Sequence, residues 1–135
     1  MAPKKTWTQK LTENRSPQVK HIDFPFAGIP PHSDMFIATP QIIQTYVSEI
    51  PAGKSVDIET LRKDLARAND ADYTCPVTTG IFLRIVAEAA YENYVSPTSK
   101  ITPFWRVVKP GSVLSKKLSC GEEFIIEKRK KERIK

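Results

Sequence analysis

TTGIFLRIVAEAAYEN, residues 78–93, is the strongest helical stretch of the chain. Ile81, Phe82, Ile85, Val86, Ala89 and Ala90 recur at three- and four-residue spacing and make one broad apolar face. Small side chains at 87, 89 and 90 permit close packing against a neighbour. Thr78 or Thr79 is the expected N-cap. Arg84 falls mid-helix, after Leu83, either as a solvated side chain or as one free to reach a ligand.

Upstream, TPQIIQTYVSEIPAG (39–53) opens with Thr39 as N-cap and Pro40 in the first helical position. Ile42, Ile43, Tyr46, Val47 and Ile50 then share a face, and Pro51 with Gly53 ends the helix. In SVDIETLRKDLARAND (55–70) Asp57 caps, Ile58, Leu61 and Leu65 form the buried stripe, and Arg62, Lys63 and Arg67 face out. Downstream, ITPFWRVV (101–108) reads as a strand and Pro110-Gly111 as a turn. VLSKKLS (113–119) is irregular or a short returning strand. The last stretch, CGEEFIIEKRKKERIK, is a helix with acids in its first turn and bases in its last, as the macrodipole favours.

The expected fold is therefore mainly α: a winged-helix-like three-helix domain over 39–135, with a short strand/turn wing and a C-terminal helix. Residues 1–38 differ. They hold five of the eleven prolines and no sustained period, so they read as a proline-rich arm with a short helix around Trp7 to Leu11. Trp7, Leu11, Phe24 and Phe26 are large apolar residues for a free tail, so the arm is expected to lie on the domain surface.

With 135 residues, one domain with a real core is expected. A net charge of +6 and a pI near 9.4 admit a polyanionic partner. The tail EKRKKERIK places Lys128, Arg129, Lys130, Lys131, Arg133 and Lys135 against Glu127 and Glu132. It reads as a solvated helix end, a phosphate-tracking patch or a nuclear import signal. No apolar run has the length of a membrane span and none near Met1 resembles a secretory signal. An intracellular site, cytoplasmic or nuclear, is expected. Cys75 and Cys120 have no metal-ligand spacing. Neither a phosphate-cradling glycine loop nor a serine elbow is present, so no cofactor and no metal is expected.

Four strings in order carry a resemblance: IPAGKSVDIETLRKDLA (50–66), RIVAEAA (84–90), ITPFWRVV (101–108) and GEEFIIEKRKKERI (121–134). Together they resemble the DNA-binding domain of the alkylguanine-DNA alkyltransferases. That family reads Ile-Pro-x-Gly, Val-Ser-Tyr-x-x-Leu-Ala, Arg-Ala-Val-Gly-x-Ala, Ile-Pro-Cys-His-Arg-Val and a last Gly-x-x-x-Lys helix. The resemblance implies a duplex DNA partner. It sets Arg84 at the intercalating arginine, Ile58 at the tyrosine that helps to push a nucleotide out, and Arg106 at a structural arginine. Phe104 and Trp105 match the alkyl-accepting cysteine and its histidine. A benzyl ring holds no nucleophile and an indole is a donor only, so neither can replace the residue it matches.

The chain is similar in this respect to the alkyltransferase-like proteins, which lack the cysteine, bind alkylated guanine and pass the lesion to excision repair. The resemblance thus implies a non-catalytic DNA-binding protein linked to repair, with a protein partner there. Its expected DNA contacts are Arg84, Thr78, Thr79 and Ile58, and Phe104, Trp105 and Arg106 would line the pocket. Phe104 and Trp105, adjacent on a strand, would face opposite sides, as core or as a base-stacking wall. Two rivals remain: a protein-interaction scaffold on the same fold, and a transferase using Cys75, which stands just before the 78–93 helix.

Overall fold

A computed structural model describes residues 5–96 and 98–134. Among them the chain is mixed: six α-helices, one 3-10 turn and a three-stranded sheet. The order is α1 (Trp7–Leu11), β1 (Gln18–Ile22), β2 (Ser33–Ile37), α2 (Pro40–Ser48), α3 (Ile58–Ala68) and β3 (Tyr73–Thr74). There follow α4 (Pro76–Glu92), the turn Phe104–Arg106, α5 (Val113–Lys117) and α6 (Glu122–Lys131). None of these helices is long and apolar enough to cross a membrane.

α4 is the axis of the fold. Nine of its residues are buried, from Thr79 to Ala90, because α1 and α2 both pack on it. Ile81, expected on the apolar face, instead stands 54% exposed. The start also differs from expectation. Cys75 is the N-cap and Pro76, whose ring presets a helical φ, is the first helical residue, so Thr78 and Thr79 lie inside the first turn. α2 and α3 begin as the sequence indicates. Thr39 Oγ1 accepts from the Ile42 amide at 3.2 Å, and the Asp57 carboxylate accepts from that of Thr60 at 2.8 Å.

The short helix at Trp7–Leu11 forms and docks on the helical body. Thr6 and Gln9 make a capping box, and the Glu92 carboxylate at the end of α4 accepts from the Trp7 and Thr8 amides at 3.0 and 2.8 Å. Leu11 enters the core. The rest of the expected arm is a β-hairpin. β1 and β2 pair antiparallel, with Gln18 opposite Ile37 and Ile22 opposite Ser33, and β3 joins β2 in parallel. Phe36 and Ala38 belong to the main core.

The strand expected over 101–108 is not formed. With no neighbouring strand to take its amides, the backbone closes on itself: Arg106 N–H donates to the Pro103 carbonyl, and the Val107 and Val108 amides share that of Phe104. The Arg106 side chain fixes the turn through two hydrogen bonds to the Glu132 carboxylate and one to the Ile50 carbonyl. Residues 113–117, expected to be irregular or a strand, are the helix α5, capped by Ser112 Oγ accepting from the Ser115 amide.

Candidate functional site

Phe104 is fully buried and Trp105 nearly so, both on the inner side of the 3-10 turn rather than on opposite faces of a strand. Their rings meet edge to face with centroids 5.5 Å apart, and Phe124 stacks on Phe104 at 6.0 Å. Tyr91 and Tyr94 extend the cluster through Phe124, and Lys128 Nζ lies 4.9 to 5.5 Å from the Tyr94, Trp105 and Phe124 ring centres. Position 104 is thus packed with aromatic carbon.

A cavity of about 480 Å³ lies outside this cluster, lined by Trp105 and Arg106 with Thr102, Lys128, Lys131 and Glu132, but not by Phe104. Trp105 Nε1 is buried without a hydrogen bond of good geometry, yet it stands close enough to Glu132 to lower that carboxyl's proton affinity slightly. The larger cause of that lowering is the Arg106 guanidinium. Arg106 clamps Glu132 and the Ile50 carbonyl, and its nitrogens are engaged.

Arg84 stands elsewhere. It lines a groove of about 560 Å³ between α1, the start of α3, α4 and α5. Ile58 lines the same groove, so two of the expected DNA contacts come together. Trp7, Lys10 and Lys117 join them, which the sequence did not indicate, because only the docking of α1 and the unexpected α5 bring them there. Among the described residues three cations line this groove and no carboxylate does. A second groove of similar size, between α3 and β3, holds Arg62, Lys63 and Arg67 but also Glu59 and Asp72.

Arg84 is poised rather than locked. One terminal nitrogen donates to the Lys117 carbonyl at a long 3.4 Å, and its Nε is 3.7 Å from the buried Glu88 carboxylate without a hydrogen bond. The guanidinium lies over the Trp7 ring at 5.3 Å. Glu88 itself is held by the Ser119 amide and hydroxyl, at 3.1 and 3.0 Å, so the negative charge under Arg84 is fixed in place.

Thr79 is fully buried and its hydroxyl donates to the Cys75 carbonyl at 2.7 Å, so it does not face a ligand. Thr78 is half-buried, with its hydroxyl 3.5 Å from the same carbonyl, and does not line the Arg84 groove. Cys75 is 2% exposed, packed with Ile29 and Met35, and so cannot meet an alkylated base in this fold. Burial, with the charge of Glu88, raises the Cys120 thiol to about 11, which keeps it protonated and unreactive at neutral pH.

In the basic tail, Arg129 is buried and donates to the Trp105 carbonyl at 2.7 Å, so it braces the turn instead of meeting phosphate. Lys135 lies outside the described residues. No protein-family model, no curated protein and no solved structure matches this chain.

Proposed function

We propose that the chain is a non-catalytic duplex-DNA-binding protein of the alkyltransferase-like kind, gripping its ligand at the groove around Arg84. The observation that carries this reading is the convergence of Arg84, Lys10 and Lys117 on one groove whose described lining holds no carboxylate, Glu88 lying buried beneath Arg84. Such a cation set can neutralise backbone phosphates, and each neutralised phosphate releases counterions. Arg84, with weakly engaged donors, is suited to a base edge or phosphate, while Ile58 and Trp7 supply apolar surface beside it. Holding without reacting follows from Phe104, Trp105 and the two thiols.

Fluorescence anisotropy tests this with an undamaged duplex and one carrying alkylguanine, each titrated across salt. Binding should weaken steeply with salt, and Arg84→Ala with Lys117→Ala should flatten the log–log slope by about 0.9 for each lost phosphate contact. Tighter binding of the alkylguanine duplex supports the repair-linked form of the proposal. Equal binding of the two limits it to plain duplex. No binding, or a slope indifferent to these substitutions, ends it.

A protein-docking role has one specific observation in its favour. Ile81 and Val113, 54% and 73% exposed, line the same groove, which therefore also fits an acidic amphipathic segment.

A further inference from the structure

The hairpin that the sequence hides contains a repeated tripeptide, His-x-Asp: His21-Ile22-Asp23 ends β1 and His32-Ser33-Asp34 begins β2. The antiparallel register sets His21 opposite Asp34 and Ile22 opposite Ser33, which places Asp23 beside His32. Because side chains alternate along a strand, the two histidines and two aspartates share one face. The intervening Ile22 and Ser33 fall on the other, where Ser33 is buried and Ile22 packs against the cluster of Ile29, Met35 and Cys75. His32 is held at φ 61°, a left-handed backbone uncommon outside glycine, and its amide closes the loop onto the Ile22 carbonyl at 2.7 Å.

We infer that His21, Asp23 and His32 form a binding site for a divalent transition ion of the zinc class. One ligand atom from each residue lies within 4.8 Å of the others. His21 Nε2 is 3.2 Å and His32 Nδ1 is 3.6 Å from Asp23 Oδ1. Ligands bound to zinc at about 2.0–2.1 Å in a tetrahedron stand roughly 3.3 Å apart, so both separations suit the ion with little movement. Two imidazoles select zinc or a neighbouring transition ion over calcium or magnesium.

The second aspartate, Asp34, supplies what such a site needs next. Asp34 Oδ1 lies 2.8 Å from His21 Nδ1, fixing the ring with Nε2 turned to Asp23. Asp34 is itself anchored, since its amide donates to the Asp72 carboxylate at 2.8 Å and its carbonyl accepts from the Asp72 amide at 2.9 Å. Asp34 is a positioning residue, not a ligand. Three protein ligands, all exposed, leave a coordination position for water or for a side chain of another molecule. The bound ion ties the two ends of the 23–32 loop, whose tip carries the exposed Phe24 and Phe26.

Calorimetric titration of the full chain with Zn²⁺, alongside the visible spectrum with Co²⁺, tests the site. One ion per chain and an intense, tetrahedral-type Co²⁺ spectrum are expected. His21→Gln and His32→Gln should each abolish both, with circular dichroism unchanged because the side chains are exposed. Asp34→Asn should keep the stoichiometry and weaken affinity about 10- to 100-fold, with no change in the melting of the metal-free protein. Cys120→Ser should bind as the unaltered chain does. No uptake of metal overturns the inference, as does uptake that survives the histidine substitutions, which would place the ion elsewhere.

Discussion

At the scale of single residues, Phe104 carries the negative half of the account. Its ring is completely buried among Trp105 and Phe124, so Phe104→Ala should cost about 3–5 kcal/mol in denaturant unfolding. The double change Phe104→Cys with Trp105→His should yield no methyl-sized mass gain on alkylguanine DNA, because the new thiol would lie in a closed core. The native thiols follow the same logic. Neither Cys75, buried, nor Cys120, with its thiol raised to about 11, should take up iodoacetamide at neutral pH before unfolding, as mass spectrometry would show. That Phe104 and Trp105 hold no nucleophile was legible from their chemistry alone. What the sequence could not give was their common direction. Opposite faces followed from reading a strand, and the 3-10 turn brings both rings inward.

The elements show where local signals suffice. Thr39 before Pro40, and Asp57 before Ile58, mark helix starts that hold because a cap bonds within its own first turn. At 101–108 the outcome depends on distant residues, above all Glu132, which lies 26 positions from Arg106 in sequence and clamps it. Glu132→Gln should lower stability by about 1–3 kcal/mol. Arg106 holds the Glu132 carboxyl below its usual 4.5, so the native chain's advantage over this variant should be full above that pH. It should shrink as pH falls through the lowered native value, seen as converging denaturation midpoints. Gly53 guards the same corner. Its φ of +85° makes Gly53→Ala destabilising, by about 1–2 kcal/mol in the same assay, while an added Cβ would meet the Glu132 carbonyl only at ordinary contact distance, 3.4 Å. The hairpin at 18–37 leaves little trace in the sequence, because its strands are only five residues each and prolines 25, 30 and 31 interrupt the pattern between them.

For the whole molecule, the N-terminal segment is what completes the groove. Trp7 and Lys10 reach Arg84 only because Glu92 caps α1 and Leu11 anchors it, a placement that no window of sequence contains. Arg84 and Ile58, the two groove residues that the resemblance singles out, share this groove with Trp7, Lys10 and Lys117, which only the docking of α1 and α5 brings there. Glu92→Ala should therefore release α1 and weaken duplex binding without touching a DNA contact, detectable as faster amide exchange over residues 7–11. The most direct test of the central claim uses the two tryptophans, one in the groove and one in the core. With fluorinated tryptophan incorporated, a duplex is titrated in and both ¹⁹F resonances are followed. Duplex seated in the groove should shift the Trp7 signal to saturation while that of Trp105 stays in place. A Trp7 signal that does not move when duplex is in excess would contradict it.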